Sequence, residues 1–220
     1  LALLGDLESL GGEFVRAATV THVEATPHGW SIRVDGVPAV QAPIVVNAAG
    51  LDAQKLAGST DGVPPGSIPR LYMARGRYFS VSGRVPFQRL IYPVPVDGGL
   101  GVHLTLDLSG QARLGPDVTW LEQPDYTVDP GAAPAFAQAA RRFWPGLEAA
   151  RLRPDYAGVR PKIGAPGEPA GDFVLSGPAE HGMPGLVNLY GIESPGLTAA
   201  IALARIVAEK AVEVPARAAA

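Results

Sequence analysis

The spacing of apolar and polar positions changes several times along the chain, and each change predicts an element. Leu3, Leu4, Leu7 and Leu10 recur at helical spacing and stop at Gly11-Gly12, a pair suited to ending a helix. Residues 13–16 and 19–25 read as strands. After a turn at Pro27-His28-Gly29, residues 30–34 alternate at period two, so a small meander is expected. Pro43 introduces Ile44-Val45-Val46-Asn47, read as a buried strand running into the small residues Ala48-Ala49-Gly50. Residues 58–69, rich in Gly, Pro and Ser, read as a loop and domain crossing.

Beyond that loop the pattern becomes a series of short strands at 72–81, 89–93, 101–106 and 112–115. Turn chemistry at Ser82-Gly83, Asp97-Gly98-Gly99 and Ser109-Gly110 separates them, which predicts an antiparallel sheet. Residues 133–144 read as a helix with Phe136, Ala140 and Phe143 on one face, ended by Pro145-Gly146. Strands follow at 155–160, 173–176 and 186–190. A last helix is expected from about Pro195 to Val212, with Leu197, Ile201, Ala204 and Val207 or Ala208 facing inward. Residues 215–220 read as a frayed tail.

Composition narrows the picture. At 220 residues the chain accommodates one large domain or two small ones, and 47% apolar residues support a sizeable core. Gly (27) and Pro (22) together exceed a fifth of the chain, against an average near 12%, in keeping with many short strands. A net charge of −3 without a Lys/Arg-rich run argues against a nucleic-acid partner. No window approaches about 18 uninterrupted apolar residues, so no transmembrane segment is expected. The absence of Cys excludes disulfides, Cys-ligated zinc, thiol catalysis and attachment of a flavin through cysteine. No two His or carboxylates share a ligand spacing such as i,i+4 on a helix, so no metal site is expected.

Two segments carry candidate chemistry. In residues 186–198 a strand passes through a tight turn into a helix, with Ser194 placed as N-cap and Pro195 as first helical residue. The N–H groups of Gly196, Leu197 and Thr198 then favour negative charge: a phosphate, a carboxylate or the N1–C2=O edge of a reduced flavin. An ordinary capped helix accounts for the same pattern. Residue 192 is Ile, so this is not the Gly-x-Ser-x-Gly elbow of a serine hydrolase. In residues 45–50 a strand ends in three small residues, which let a ligand approach the backbone closely. A plain strand-to-helix turn looks the same.

Taken together, "VVNAAG", "GVRPK" and "YGIESPGLTAA" resemble the C-terminal part of FAD-dependent oxidoreductases of the D-amino-acid oxidase/glycine oxidase superfamily. The run "IYPVPVDGGLGVHLTLDLSGQARLGPD" resembles most the L-2-hydroxyglutarate dehydrogenase-type branch. The resemblance implies an α/β (α+β) fold: part of a Rossmann-like FAD-binding domain plus a substrate domain on a mainly antiparallel β-sheet. The expected division is 1–60 and 156–214 for the FAD-binding part, 61–155 for the substrate domain and 215–220 for the tail. The superfamily opens with a strand–Gly-x-Gly-x-x-Gly–helix that holds the FAD pyrophosphate. Gly98-Gly99-Leu100-Gly101 does not fit that element, and the chain opens on Leu1, so the resemblance implies a C-terminal fragment.

The implied reaction is hydride transfer from the α-carbon of a small 2-hydroxy acid, L-2-hydroxyglutarate-like, to flavin. It needs a base for the hydroxyl proton and cations for the carboxylate. His103, in "LGVHLT", is the expected base: alternation with Val102 and Leu104 presents it to a cavity, whereas His22 and His28 lie in the meander and His181 in a Gly-flanked loop. Arg75 and Arg160 are carboxylate candidates because a guanidinium fork binds both oxygens, and the family's "RP" position favours Arg160. Lys162 joins them, with flavin contact by Pro161 and Lys162 as the alternative. Tyr92 is a candidate hydrogen-bond donor or a half-buried strand aromatic. The related "RGEYY" pattern has Glu where this chain has Arg77, which changes the local charge; Arg77 shares a strand face with Arg75, and a surface ion pair is the default role for either.

For the cofactor, the resemblance implies a backbone role for Val20 against adenine, close approach by Ala48, Ala49 and Gly50, and a cradle of Gly191, Ile192, Glu193, Ser194, Pro195, Gly196, Leu197 and Thr198 under the flavin pyrimidine. Glu193 sits oddly beside an anion; capping the turn and pairing with Lys162 are both open. Two other functions compete: an amino-acid oxidase of glycine-oxidase type, and a non-catalytic, β-rich anion-binding module. The expected partners are a small carboxylate substrate and an electron acceptor (oxygen, quinone or protein), with peripheral membrane association left open. The expected compartment is the cytoplasm, any targeting signal lying upstream.

Overall fold

The structure, a computed structural model, describes residues 1–94, 101–169 and 171–212. In chain order its elements are α1 (Ala2–Ser9), β1 (Val20–Thr26), β2 (Gly29–Val34), β3 (Val40–Ala42), β4 (Val45–Asn47), α2 (Ala53–Gly58), β5 (Tyr72–Val81), β6 (His103–Leu106), β7 (Ala112–Gly115), β8 (Thr119–Leu121), α3 (Ala133–Ala140), β9 (Leu152–Lys162), β10 (Val174–Ser176), α4 (Pro178–His181), β11 (Leu186–Tyr190) and α5 (Gly196–Ala211). They fall into two units. One comprises Leu1–Pro69, Val174–Tyr190 and the chain from Ala199; the other comprises Arg70–Phe173 and Gly191–Thr198. The first boundary lies nine residues beyond the one expected at 60/61, and β9, divided by the expected boundary at 155/156, lies wholly in the second unit.

The first unit holds two three-stranded sheets. One is the expected antiparallel meander, β1-β2-β3. The other has the order β10-β11-β4, with β11 antiparallel to β10 and parallel to β4. Trp30 anchors a core with Val23, Val63 and Leu186, and its indole N–H donates to the Pro184 carbonyl at 3.1 Å. A second cluster joins Val187 of β11 to Val207 and Ala211 of α5.

The second unit is one five-stranded antiparallel sheet covered by α3. β5 is its centre: β9 runs along one edge, while β8 and β7 share the other. Phe79, Leu104, Leu114 and Leu152 from the sheet pack with Phe136, Ala137 and Ala140 of α3. The Phe79 and Phe136 rings lie 4.7 Å apart at 51°, a tilted arrangement that aromatic quadrupoles favour.

Several expectations need correction. Residues 13–16 form no strand, and 89–93 contributes only a single bridge, Ile91 to Leu104. β3 and β8, three residues each, and the four-residue α4 are too short for a period to register in the sequence. α3 stops at Ala140, four residues early, because the chain tightens into turns before Pro145. β4 is less buried than its apolar run implied: Val46 is exposed. α5 starts at Gly196, so Pro195 rather than Ser194 immediately precedes it. Leu197 (90% exposed) and Ile201 (60%) do not face inward, since α5 buries its later turns through Val207 and Ala211. The turn expected at 97–99 and the tail at 215–220 lie outside the described residues. No helix among the described residues is long and apolar enough to cross a membrane.

Phe136 is 2% exposed, and its truncation leaves a cavity beneath the sheet. Phe136→Ala is expected to lower the unfolding free energy by about 3–5 kcal/mol in urea denaturation. A loss below about 1 kcal/mol would contradict the packing described.

Candidate functional site

The chemistry-bearing side chains of the second unit gather along β5, β6 and β9 and in the segment 191–198. β9 has period-two geometry, so Arg160 and Lys162 share one of its faces. Both reach Glu193: Arg160 Nη1 lies 3.2 Å from Oε2 and Lys162 Nζ 2.5 Å from Oε1. Of the two roles left open for Glu193, its side chain takes the pairing, with Arg160 as well as Lys162, while its backbone carbonyl closes the turn by accepting the Gly196 N–H. Pro161, between the two cations, is the register partner of Met73 on β5.

His103 opens β6 opposite Gly115 of β7. Both His103 and the neighbouring Leu104 are buried, so each face of β6 is covered here. The imidazole stacks on Tyr92, with centroids 4.4 Å apart and planes at 22°, and its Nδ1 is buried without a hydrogen-bond partner. Burial first, and then the Arg160 charge, hold the His103 pKa below its ordinary 6.5. The ring is therefore neutral at pH 7 and able to accept a proton. Tyr92 itself is largely exposed.

The two other arginine candidates are engaged. The Arg75 guanidinium pairs with Asp125 and donates to the Thr127 carbonyl at 3.2 Å; its Nε is buried and unpartnered. Arg77 makes a two-pronged contact with one Asp117 oxygen, Nε at 2.9 Å and Nη2 at 2.6 Å, while its backbone N–H donates to the other at 2.8 Å. Both pairs are half-buried rather than surface contacts.

Residues 192–198 line a hollow of about 390 Å³ at the start of α5. Of the three N–H groups expected to be free at the start of this 16-residue helix, that of Gly196 is taken, donating to the Glu193 carbonyl at 2.5 Å across the turn; Leu197 and Thr198, in the first turn, are exposed. Gly191 has φ +69, and a Cβ on it would press on Ile163 at 3.2 Å, so the turn favours glycine.

In the first unit, Ala48, Ala49 and Gly50 leave the end of β4 through a buried amide pair. Asn47 Nδ2 donates to Asn188 Oδ1 at 2.9 Å and to the Ala53 carbonyl at 2.8 Å, while its Oδ1 accepts from the Ala49 N–H at 3.2 Å. Gly50 has φ +60 with open space where a Cβ would lie. The Gln54 amide and Asn188 Nδ2 are buried without partners. Val20 begins β1 and is paired with Val34. The remaining histidines lie elsewhere: His22 pairs with Asp61 at 3.2 Å, His28 occupies the β1–β2 turn, and His181 is buried in α4 rather than in a loop, its Nδ1 accepting from the Met183 N–H.

Asn47 and Asn188 were missed in the sequence as members of these clusters, although they were detectable as polar residues at buried strand positions. Tyr78 of β5 and Tyr156 of β9, whose rings stack 4.6 Å apart, carry no local signal.

The family description "DAO: FAD dependent oxidoreductase" matches residues 1–210. Over 179 residues the chain is 45% identical to the L-2-hydroxyglutarate dehydrogenase, mitochondrial, of Arabidopsis thaliana, covering 76% of this chain and 37% of that protein. Its fold is similar to that of dithionite-reduced L-alpha-glycerophosphate oxidase from Mycoplasma pneumoniae with FAD bound. That match has a TM-score of 0.72 and 22% identity, over 92% of this chain and 52% of that one. Glycine oxidase from Bacillus cereus gives a TM-score of 0.73 at 16% identity, over 96% and 54%. The chain spans about a third of the length of the curated relatives it matches.

The depressed His103 pKa has a measurable consequence. Folding disfavours protonation of this ring, so its contribution is intact above pH 6.5 and stability is lost as pH falls from 6.5 through the folded midpoint. In side-chain NMR His103 is expected to titrate below 6.5. Arg160→Met should move the midpoint up only partway, because burial is the larger cause; a midpoint at or above 6.5 in the unsubstituted chain would contradict this.

Proposed function

Given that this chain belongs to the DAO family of FAD dependent oxidoreductases, we propose that it is the part of a flavoenzyme that binds a small 2-hydroxy acid, L-2-hydroxyglutarate-like, and takes its hydroxyl proton. One observation carries this reading: a buried, neutral imidazole, His103, lies within electrostatic reach of the guanidinium of Arg160. Oxidation of a 2-hydroxy acid needs that combination, a base for the hydroxyl and a cation for the adjoining carboxylate. The likeness to the Arabidopsis thaliana protein supports the choice of substrate class.

The residues present fit the cofactor that the family's name implies. Leu197 and Thr198, in the first turn of α5, line the hollow of about 390 Å³ at residues 192–198, and first-turn N–H groups suit an anionic or carbonyl edge. In the first unit the open backbone at Ala48, Ala49 and Gly50, beside the unpartnered Gln54 and Asn188 amides, suits a polar ligand lying against the chain. FAD, when bound, supplies the acceptor for the hydride that leaves the α-carbon. Val20, Pro161 and residues 191–198 remain the proposed cofactor contacts on this chain.

Arg160 holds the substrate carboxylate, in preference to Arg75, whose guanidinium is occupied by Asp125 and Thr127. Lys162 adds a second cation, and Glu193 cancels one of the two, leaving the trio with one net positive charge for one carboxylate. His103 takes the hydroxyl proton onto its neutral ring, and Tyr92, stacked on it, fixes the ring plane. The first unit, with 191–198 added by sequence, is the proposed cofactor side; the sheet centred on β5 is the proposed substrate side.

The test uses full-length, FAD-loaded protein. His103→Asn is expected to slow flavin reduction by L-2-hydroxyglutarate about 10²–10⁴-fold in stopped-flow absorbance. An unchanged rate removes His103 from the reaction. Reduction of the unsubstituted protein by amino acids but not by 2-hydroxy acids would replace this reading with the amino-acid oxidase.

A further inference from the structure

Among the described residues, the glycines that lie in strands are Gly29, Gly76, Gly115 and Gly158. Glycine weakens a strand, so each needs a reason: an unusual backbone, a bulge, or something that approaches the chain closely. A Cβ on Gly29 would lie 2.5 Å from the Ala42 carbonyl oxygen, one on Gly76 2.7 Å from Pro116 Cβ, and one on Gly115 2.5 Å from the Arg77 carbonyl oxygen. The chain's own packing accounts for these three. Gly158 of β9 is different. Its φ lies outside the left-handed range, and a Cβ there would meet nothing within 4 Å. A bulge does not account for it either. The register break between β5 and β9, where Asp155 and Tyr156 together oppose Tyr78, lies beyond Ala157, and Gly158 is in register with Gly76. The reason that remains is a molecule lying against the strand.

The place of Gly158 indicates which molecule. Period-two geometry puts it on the face of β9 that carries Arg160 and Lys162. Their register partners on β5 are Gly76 for Gly158 and Ala74 for Arg160, so these share that face of the sheet. Over Gly76 the face is covered by Pro116, which follows Gly115, the register partner of His103. Over Gly158 the same face is bare, exposed backbone. The bare strip therefore adjoins Arg160 along β9, and across the sheet it borders the segment that begins beside His103. A 2-hydroxy acid with its carboxylate on Arg160 and its hydroxyl toward His103 carries the rest of its chain within reach of this strip.

We propose that Gly158 is a specificity-determining residue: its missing side chain leaves the floor on which the substrate's carbon chain lies beyond the hydroxyl-bearing carbon. The proposal rests on the roles given above to Arg160 and His103, and extends them from what the site holds by charge to the length of chain it admits.

Gly158→Ala and Gly158→Val in the full-length, FAD-loaded protein test it. The binding probes are acetate, a short carboxylate, and glutarate, a longer dicarboxylate with no hydroxyl to oxidise, each followed by flavin absorbance and by calorimetry. In Gly158→Val the dissociation constant for glutarate is expected to rise about tenfold or more and that for acetate to stay within about twofold, with Gly158→Ala between the two proteins. The KM for L-2-hydroxyglutarate should rise in parallel. FAD content should not change, and Gly158→Ala should keep or raise the melting temperature, since Ala adopts this backbone with less entropy to lose. Unaltered glutarate binding in both variants overturns the proposal, as does an equal loss for acetate and glutarate. Loss of FAD with the glutarate-to-acetate ratio unchanged also overturns it, because the cofactor would then be what lies against the strand. Failure of the proposed reaction is distinguishable: a protein that binds glutarate but is not reduced by 2-hydroxy acids overturns the reaction, while the glutarate-to-acetate ratio still decides the role of Gly158. A protein that binds neither probe overturns both.

Discussion

The β5–β9 ladder constrains the second unit because β5 has no free edge to relax into. β9 pairs with it from Tyr72 to Val81, while β8 and β7 take the two ends of its other side. Backbone groups paired in this way are costly to expose, so register is held along most of the strand. The buried positions of β5 change phase beside the register break: Ala74 and Gly76 are buried before it, Phe79 and Val81 after it. That shift lets Phe79 and Val81 meet the α3 core while the preceding residues carry Arg75 and Arg77 to their acidic partners. The stack of Tyr78 on Tyr156 sits at the same register break.

Charge in this unit is distributed unevenly. Arg75 is matched by Asp125, Arg77 by Asp117, and Arg113 by both Asp107 and Asp155. Partly buried arginines of this kind need such partners, since an unpaired charge away from water costs several kcal/mol. Arg160 and Lys162 share one carboxylate instead. Among the ion pairs of the described residues in this unit, theirs is the one group in which cations outnumber acids, and a substrate anion brought there would replace solvent as the balancing charge.

How much of this could be read from the chain depended on range. Strands with period-two alternation and clear turns, such as β5, β7 and β11, were legible, as were the helix end at Gly11-Gly12 and the helix start near Pro195. Elements of three or four residues were not, because β3, β8 and α4 contain too few positions to establish a period. The strand expected at 89–93 had the right residue types but found only one bridge, which is a tertiary outcome. Leu197 and Ile201 had helical spacing, yet spacing does not reveal which part of a helix is covered. In the candidate site, His103, Arg160, Lys162 and Glu193 were recognisable as residue types, while the preference of Arg75 for Asp125 depends on side chains 50 positions apart. The stack of Tyr78 on Tyr156 was out of reach for the same reason: it arises from the register between two strands, and no local pattern encodes a register slip.

Glu193 illustrates how two of these constraints combine. Arg160 and Lys162 lie two residues apart and so project from one face of β9. Like charges so placed repel: at the ~7 Å that separates alternate residues of a strand, in surroundings of effective dielectric near 20, the cost is about 2 kcal/mol. A carboxylate bridging the two reverses the sign of the local interaction, and Glu193 does so with one oxygen on each cation. Its position three residues before α5 is what allows this, because the turn at 191–195 carries the side chain toward β9 while the helix start stays open to the hollow beside it. An acid that looks misplaced beside an anion-favouring helix terminus is thus accounted for by the strand: it is the counter-ion that lets two cations occupy one face, and it leaves a single positive charge to be satisfied by something else.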